Sequence, residues 1–238
     1  MIQSNKIIGK VSTIYRCEVV PGKSKKKGRD KRFWAMPELY SGFKELLEGG
    51  HKFKVTGKVD GSCCMVKDGK LLKRRDLKDD REEPEGWTET SPVDKRGHRI
   101  GFMEADHECE DKWHLDTMNE EKTEIRVMAF NDGKVSIETR PIEELNGMTV
   151  ELVGPKVQGN PHKLKEHCVI PHGLFSLTGY PEDFDLSRFR EWFRYDPVTK
   201  YFEGIVIHFD NGSSFKIHRH HLNMKWIPRN LMNMGIES

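Results

Sequence analysis

The chain predicts a mixed α+β fold built mainly on antiparallel sheets, and three observations carry that prediction. Short runs of alternating apolar and polar residues recur along the 238 residues. Turn signals rich in Asp, Asn and Gly separate several of them, and only two stretches carry helical spacing.

Taken in order, residues 52–59 alternate around Phe53 and Val55. Asp60-Gly61 is expected to act as a hairpin turn into a return strand at 63–67, and Asp68-Gly69 as a second turn into a strand at 70–74. Further strands are expected at 125–130, 134–139, 149–153, 173–177, 204–209 and 214–218. Asn131-Asp132-Gly133 and Asp210-Asn211-Gly212 join two of these pairs. One helix is expected at 38–48, where Leu39, Phe43, Leu46 and Leu47 recur at helical spacing before Gly49-Gly50 stops it. A second is expected at 186–194, with Asp185 as N-cap and Phe189, Trp192 and Phe193 packing into the core. The polar stretch 79–111, which contains Pro84 and Pro92, reads as a long surface excursion. No internal repeat is present.

Composition narrows the classes. With 33% charged and 35% hydrophobic residues the chain fits a soluble globular protein. No apolar run is long enough to span a bilayer, and Met1 to Lys10 lacks the apolar core of a secretory signal. The five cysteines, Cys17, Cys63, Cys64, Cys109 and Cys168, are odd in number and unpaired in spacing, which points to reduced thiols in a cytosolic or nuclear setting. The net charge of +2 hides a basic block (Lys23, Lys25, Lys26, Lys27, Arg29, Lys31, Arg32) and an acidic stretch at 104–124. A basic block is most often a solvated loop, but it is also how a phosphate backbone is attracted. Two parts are expected: residues 1–50 as an N-terminal basic extension packing on the core, and 51–238 as the main domain.

Four segments could carry chemistry. Lys58, in Lys58-Val59-Asp60-Gly61-Ser62, stands at a strand end beside an acidic turn. On these residues alone the commoner reading is a surface lysine; a nucleophilic lysine needs its pKa lowered by burial or nearby cations. Glu151 interrupts an apolar strand, and a buried carboxylate needs hydrogen bonds or a cation. On alternation alone it is as well a solvent-face glutamate. Glu203 opens the apolar run Gly204-Ile205-Val206-Ile207, where it could hold a metal–phosphate group, and Lys216 and His218 share a strand face. The run His218-Arg219-His220-His221 invites a zinc reading, disfavoured because no nearby cysteine or histidine pair completes a tetrahedral set. Walker-type and Rossmann-type glycine signatures are absent.

The ordered series Lys58, Arg74, Glu151, Phe175, Glu203, Lys216 resembles the covalent nucleotidyltransferase superfamily of polynucleotide ligases and messenger-RNA capping enzymes. Closer still, the chain is similar to the 5′–3′ RNA ligase family. The segments that carry this are Lys58-Val-Asp-Gly-Ser-Cys-Cys, Glu151-Leu-Val-Gly with Gly159-Asn-Pro, and Ile170-Pro-His-Gly-Leu-Phe175. Glu203-Gly-Ile-Val and Lys216-Ile-His-Arg-His-His-Leu222 complete the set. Pro92-Val-Asp with Gly97-His98, and Trp113-His114, add to it, so the resemblance covers roughly 52–226.

The resemblance implies an adenylation domain of the ATP-grasp-like DNA/RNA ligase type on antiparallel sheets, without a C-terminal oligonucleotide-binding barrel. It implies ATP as co-substrate, magnesium (or manganese in its place), and RNA with 5′-phosphate and 3′-hydroxyl ends as partner. No membrane and no obligate protein partner are called for. Lys58 would be the nucleophile, Arg74 (with Arg75 as fallback) a nucleotide or phosphate contact, and Glu151 the ribose contact. Phe175 would stack on the base, Glu203 would position metal with Asp60 as a second candidate, and Lys216 would hold the α-phosphate. His218 stands where many relatives carry a lysine, leaving its role open. The alternatives are a capping guanylyltransferase and a catalytically idle RNA-end binder.

Overall fold

A computed structural model describes residues 11–21, 31–91, 93 and 97–235. In chain order its strands are β1 (Ser12–Thr13), β2 (Tyr15–Pro21), β3 (Lys31–Leu39), β4 (Phe53–Lys58), β5 (Ser62–Lys67), β6 (Lys70–Lys78), β7 (Thr88–Ser91) and β8 (His98–Glu104). They continue as β9 (Glu124–Asn131), β10 (Lys134–Pro141), β11 (Thr149–Val153), β12 (Cys168–Pro171), β13 (Ser176–Leu177), β14 (Gly204–Phe209) and β15 (Ser214–His218). The α-helices are α1 (Ser41–Glu48), α2 (Lys112–Leu115) and α3 (Leu186–Tyr195). The fold is α+β on largely antiparallel sheets, as the alternation predicts. No helix among the described residues is long and apolar enough to cross a membrane.

The chain divides into two compact units. The first comprises 60–174 and the segment from 228 onward, and is organised on an eight-stranded sheet of order β10-β9-β12-β11-β5-β6-β8-β7. Its core packs Cys64, Val66, Leu71, Ile125, Val127, Val150, Leu152 and Val169 together, with the 3₁₀ turn at Ile142–Leu145 adding two more buried apolar side chains. Fully burying each aliphatic side chain is worth about 1.5–3 kcal/mol. The two-residue loops Asp68-Gly69 and Asp132-Gly133 put both residues at positive φ (53° and 71°, 49° and 75°), the type I′ geometry that matches strand twist.

The second unit comprises 11–59 and 175–227. It holds a five-stranded sheet of order β1-β15-β14-β4-β13 and the β2–β3 hairpin. Its core is aromatic: Phe43 of α1 meets Phe184, Phe209 and Phe215 edge-on at centroid distances of 4.9 to 5.6 Å. Helix α3 begins at Asp185, whose carboxylate accepts the Arg188 N–H at 2.9 Å, a cap worth about 1 kcal/mol. Phe189 and Phe193 are buried as expected.

Several expectations need correction. Asp60-Gly61 is not a hairpin turn: β4 pairs with β13 and β14, whereas β5 pairs with β6 and β11. Gly61 is absent from the positive-φ residues; a Cβ there would lie 2.2 Å from the Leu152 carbonyl oxygen, so close packing explains the glycine. The 79–111 stretch is no mere excursion. It carries β7 and β8, with Trp87, Ile100 and Phe102 buried, and its abundant charge masks that pattern in the sequence. The strand expected at 173–177 shrinks to Ser176–Leu177 because Gly173 turns at φ 87°. Leu39 ends β3 rather than joining α1. Strands β1, β2, β3 and β12 are further additions to the expected set. Most of the basic block (residues 22–30) lies outside the described residues, as do Pro92 and Asp94.

Candidate active site

In the second unit, three strands bring polar groups onto one sheet face. Lys58 of β4 pairs with Gly204 of β14, and Gly204 pairs with His218 of β15. Directly paired residues share a face, so Lys58 and His218 flank a position without a side chain. Lys216 stands two residues before His218 on the same face. A Cβ on Gly204 would fall 2.1 Å from the Ile217 carbonyl oxygen, so the glycine is required by the neighbouring strand's own backbone.

Glu203, immediately before β14, spans this gap. Its Oε2 accepts from Lys58 Nζ at 2.8 Å, and its Oε1 lies 2.9 Å from His218 Nδ1. Burial alone would raise the Glu203 carboxyl, but the His218 hydrogen bond and the Lys58 charge outweigh it and hold it at about 2. Burial lowers His218 despite Glu203, so the ring is neutral at pH 7. A neutral imidazole facing a carboxylate through Nδ1 carries its proton there, which leaves Nε2 as an acceptor. His221 is pushed down to about 3 by burial and by its neighbours His220 and His218. Glu203, His218 and His220 offer donor atoms within 4.8 Å of one another, a grouping invisible in the sequence because Glu203 is distant in the chain.

Arg219 locks this corner. Its buried guanidinium donates to the carbonyls of Phe193 (2.9 Å), Thr199 (2.7 Å) and Phe202 (3.1 Å), the last being the residue before Glu203. Phe175 contributes its carbonyl to Gly57 N–H at 2.9 Å. Its ring is only 2% exposed and packs 5.3 Å from Phe202, so the ring expected to stack on a base is covered here.

The first unit holds the remaining residues. The Gly61 N–H donates to Glu151 Oε1 at 3.0 Å, and Glu151 Oε2 lies 2.9 Å from His172 Nε2. Glu151 is therefore on the polar face of β11, anchored to the turn that follows Lys58 in the chain. The Asp60 N–H donates to Nε2 of buried His162 at 3.0 Å. Asp60 belongs to this unit and Glu203 to the other. Arg74 and Arg75 line a cleft of about 460 Å³ with Ser62, Cys63, Lys73 and His114. Arg74 is held by Asp76 through contacts of 2.8 and 3.2 Å. Lys73 and Asp111 form a buried pair at 2.6 Å that no local motif announces. His172 lies within the Ile170–Phe175 segment, where its neighbours in the chain give it no role.

The second unit thus holds an ion-paired lysine, and the first an anchored glutamate and a cleft in which Lys73, Arg74 and Arg75 stand with Asp76, Glu110 and Asp111. A family model described as RNA ligase 1 matches residues 78–235, and the chain belongs to that family. The match carries Glu151, Phe175, Glu203 and Lys216, while Lys58, Asp60, Arg74 and Arg75 precede it. The chain is similar to RNA ligase 1 of Danio rerio, 29% identical across 76% of this chain and 70% of that protein. It is likewise similar to RNA ligase 1 of Pongo abelii (28%, 75% and 70%) and of Mus musculus (28%, 75% and 69%).

Proposed function

We propose that the chain is an ATP-dependent RNA ligase of the nucleotidyltransferase class that joins 5′-phosphate to 3′-hydroxyl RNA ends through a lysyl–AMP intermediate. The observation that carries this is the Lys58–Glu203–His218 arrangement in a chain of the RNA ligase 1 family. Lys58, its Nζ having given up a proton to solvent, attacks the α-phosphorus of ATP; an N–P bond forms and the bond to pyrophosphate breaks. AMP then passes to the RNA 5′-phosphate, and a 3′-hydroxyl displaces it.

Lys58 cannot attack while its Nζ is an ammonium, so the ion pair with Glu203 describes a resting nucleophile. Glu203, held at about 2, is a weak base and serves to orient Lys58 rather than to take its proton. The same ionised carboxylate fits a hard divalent cation; Asp60, in the other unit, is a separate candidate. Magnesium, when bound, offsets charge on the triphosphate and on the in-line transition state. Lys216 is assigned the α-phosphate, and Arg74, with Arg75 as fallback, a nucleotide or phosphate contact. Glu151 is assigned the ribose hydroxyls. His218 is assigned the orientation of Glu203, and Phe175 the base once its ring is uncovered.

The test mixes purified protein, magnesium and α-phosphate-labelled ATP or GTP on a denaturing gel. Covalent label from ATP, lost in Lys58→Ala, is expected. Label from GTP alone would make the chain a guanylyltransferase, and label from neither would leave an RNA-end binder.

A further inference from the structure

The polar face of the eight-stranded sheet carries a second donor group that the ligase chemistry does not use as such. Cys63 of β5 pairs directly with Glu151 of β11, and the His172 N–H donates to the carbonyl of Thr149, two residues before Glu151 on the same strand. Three adjacent chain segments thus present a thiol, a carboxylate and an imidazole on one face. Their donor atoms all lie within 4.8 Å of one another.

The outer contacts are already in place. Glu151 Oε1 is anchored by the Gly61 N–H at 3.0 Å, and His172 Nδ1 lies 2.9 Å from the Thr149 hydroxyl. Each ligand's far atom is therefore fixed, and Oε2 and Nε2 converge beside the Cys63 sulfur. Such outer-atom anchoring orients the ligands of protein metal centres. Cys63 also lines the 460 Å³ cleft, which gives a cation an access route.

We propose that Cys63, Glu151 and His172 bind a thiophilic divalent cation of the zinc class, with water in a fourth position. A sulfur, nitrogen and oxygen donor set suits zinc or cobalt and excludes magnesium, which takes oxygen ligands. Binding forms a metal–sulfur bond as the Cys63 S–H proton leaves to solvent, while the proton between His172 and Glu151 shifts to His172 Nδ1, where the Thr149 hydroxyl accepts it, and Nε2 is left to the metal. Occupancy would withdraw Glu151 from its ribose role, a consequence that rests on the function proposed above.

The experiment titrates the full chain with cobalt(II) in excess magnesium and reads the thiolate-to-cobalt charge-transfer band. A saturable band at one equivalent is expected. It should vanish in Cys63→Ser, weaken at least about tenfold in His172→Gln, and persist in Cys109→Ser, which removes the exposed thiol. Two variants acting on one band guard against a fold defect in either. A band that survives Cys63→Ser, or that is lost in Cys109→Ser, overturns the site, as does the absence of any band. ATP labelling of the cobalt-free protein in magnesium reports the ligase reaction separately, so normal labelling without a cobalt band sinks the metal site alone.

Discussion

Glu203 is held by two partners of different kinds, and each contact has its own measurable signature. The carboxyl goes from an ordinary value of 4.5 to about 2 on folding. A group depressed in this way stabilises the fold above its unfolded pKa, and that stabilisation is lost as pH falls from about 4.5 through about 2. The shift corresponds to something on the order of 3 kcal/mol. Thermal midpoints followed from pH 5 to pH 2.5 should therefore fall more steeply for the native chain than for Glu203→Gln; parallel curves would refute the assignment. The same substitution should slow adduct formation by roughly a hundredfold or more, since it removes a charge placed beside the reacting lysine. Unchanged labelling rates across a magnesium titration would show that Glu203 neither orients Lys58 nor meets the metal.

At the scale of elements, the glycine between Lys58 and His218 and the arginine after β15 set the geometry of the face. Gly204→Ala forces a Cβ against the Ile217 carbonyl oxygen and should cost about 1–3 kcal/mol in chemical denaturation. Arg219→Met leaves the carbonyls of Phe193, Thr199 and Phe202 without their shared donor, and a destabilisation of about 3 kcal/mol or more is expected. A midpoint unchanged by Arg219→Met would mean water or another donor replaces the guanidinium. These elements also show how much of the fold is legible in the sequence. Strands β11, β14 and β15 coincide with their expected bounds because short apolar or alternating runs bounded by turn residues act locally. The β7–β8 pair is hidden because its apolar positions are embedded among charges. Strands β4 and β5 read as a hairpin because an Asp-Gly pair looks alike whether it makes a tight turn or links two sheets. Lys58, Glu151, Glu203 and Lys216 stand out as residues. His172 beside Glu151, His162 beside Asp60, and the Lys73–Asp111 pair in the Arg74 cleft do not, since only the folded register brings such groups together.

For the molecule as a whole, RNA affinity should draw on the basic block at Lys23 to Arg32, which falls largely outside the described residues. Neutralising Lys25, Lys26 and Lys27 should weaken RNA binding and reduce the slope of log affinity against log salt by about 2, at about 0.7 for each phosphate no longer neutralised. Self-adenylylation should be untouched; an unaltered salt slope would remove the block from the RNA interface. Another property follows from the interleaving of the two units along the chain. Lys58 and Glu203 are 145 residues apart in sequence, although their side chains meet at 2.8 Å. At about 5–20 residues per second of synthesis, the lysine is added to the chain roughly 7–30 s before its carboxylate partner. The β5–β6 hairpin can close at once, whereas β4 must wait unpaired for β13 and β14. A nascent chain halted before residue 203 therefore carries the lysine without its clamp, and the ion pair forms only once Glu203 has followed it out of the ribosome.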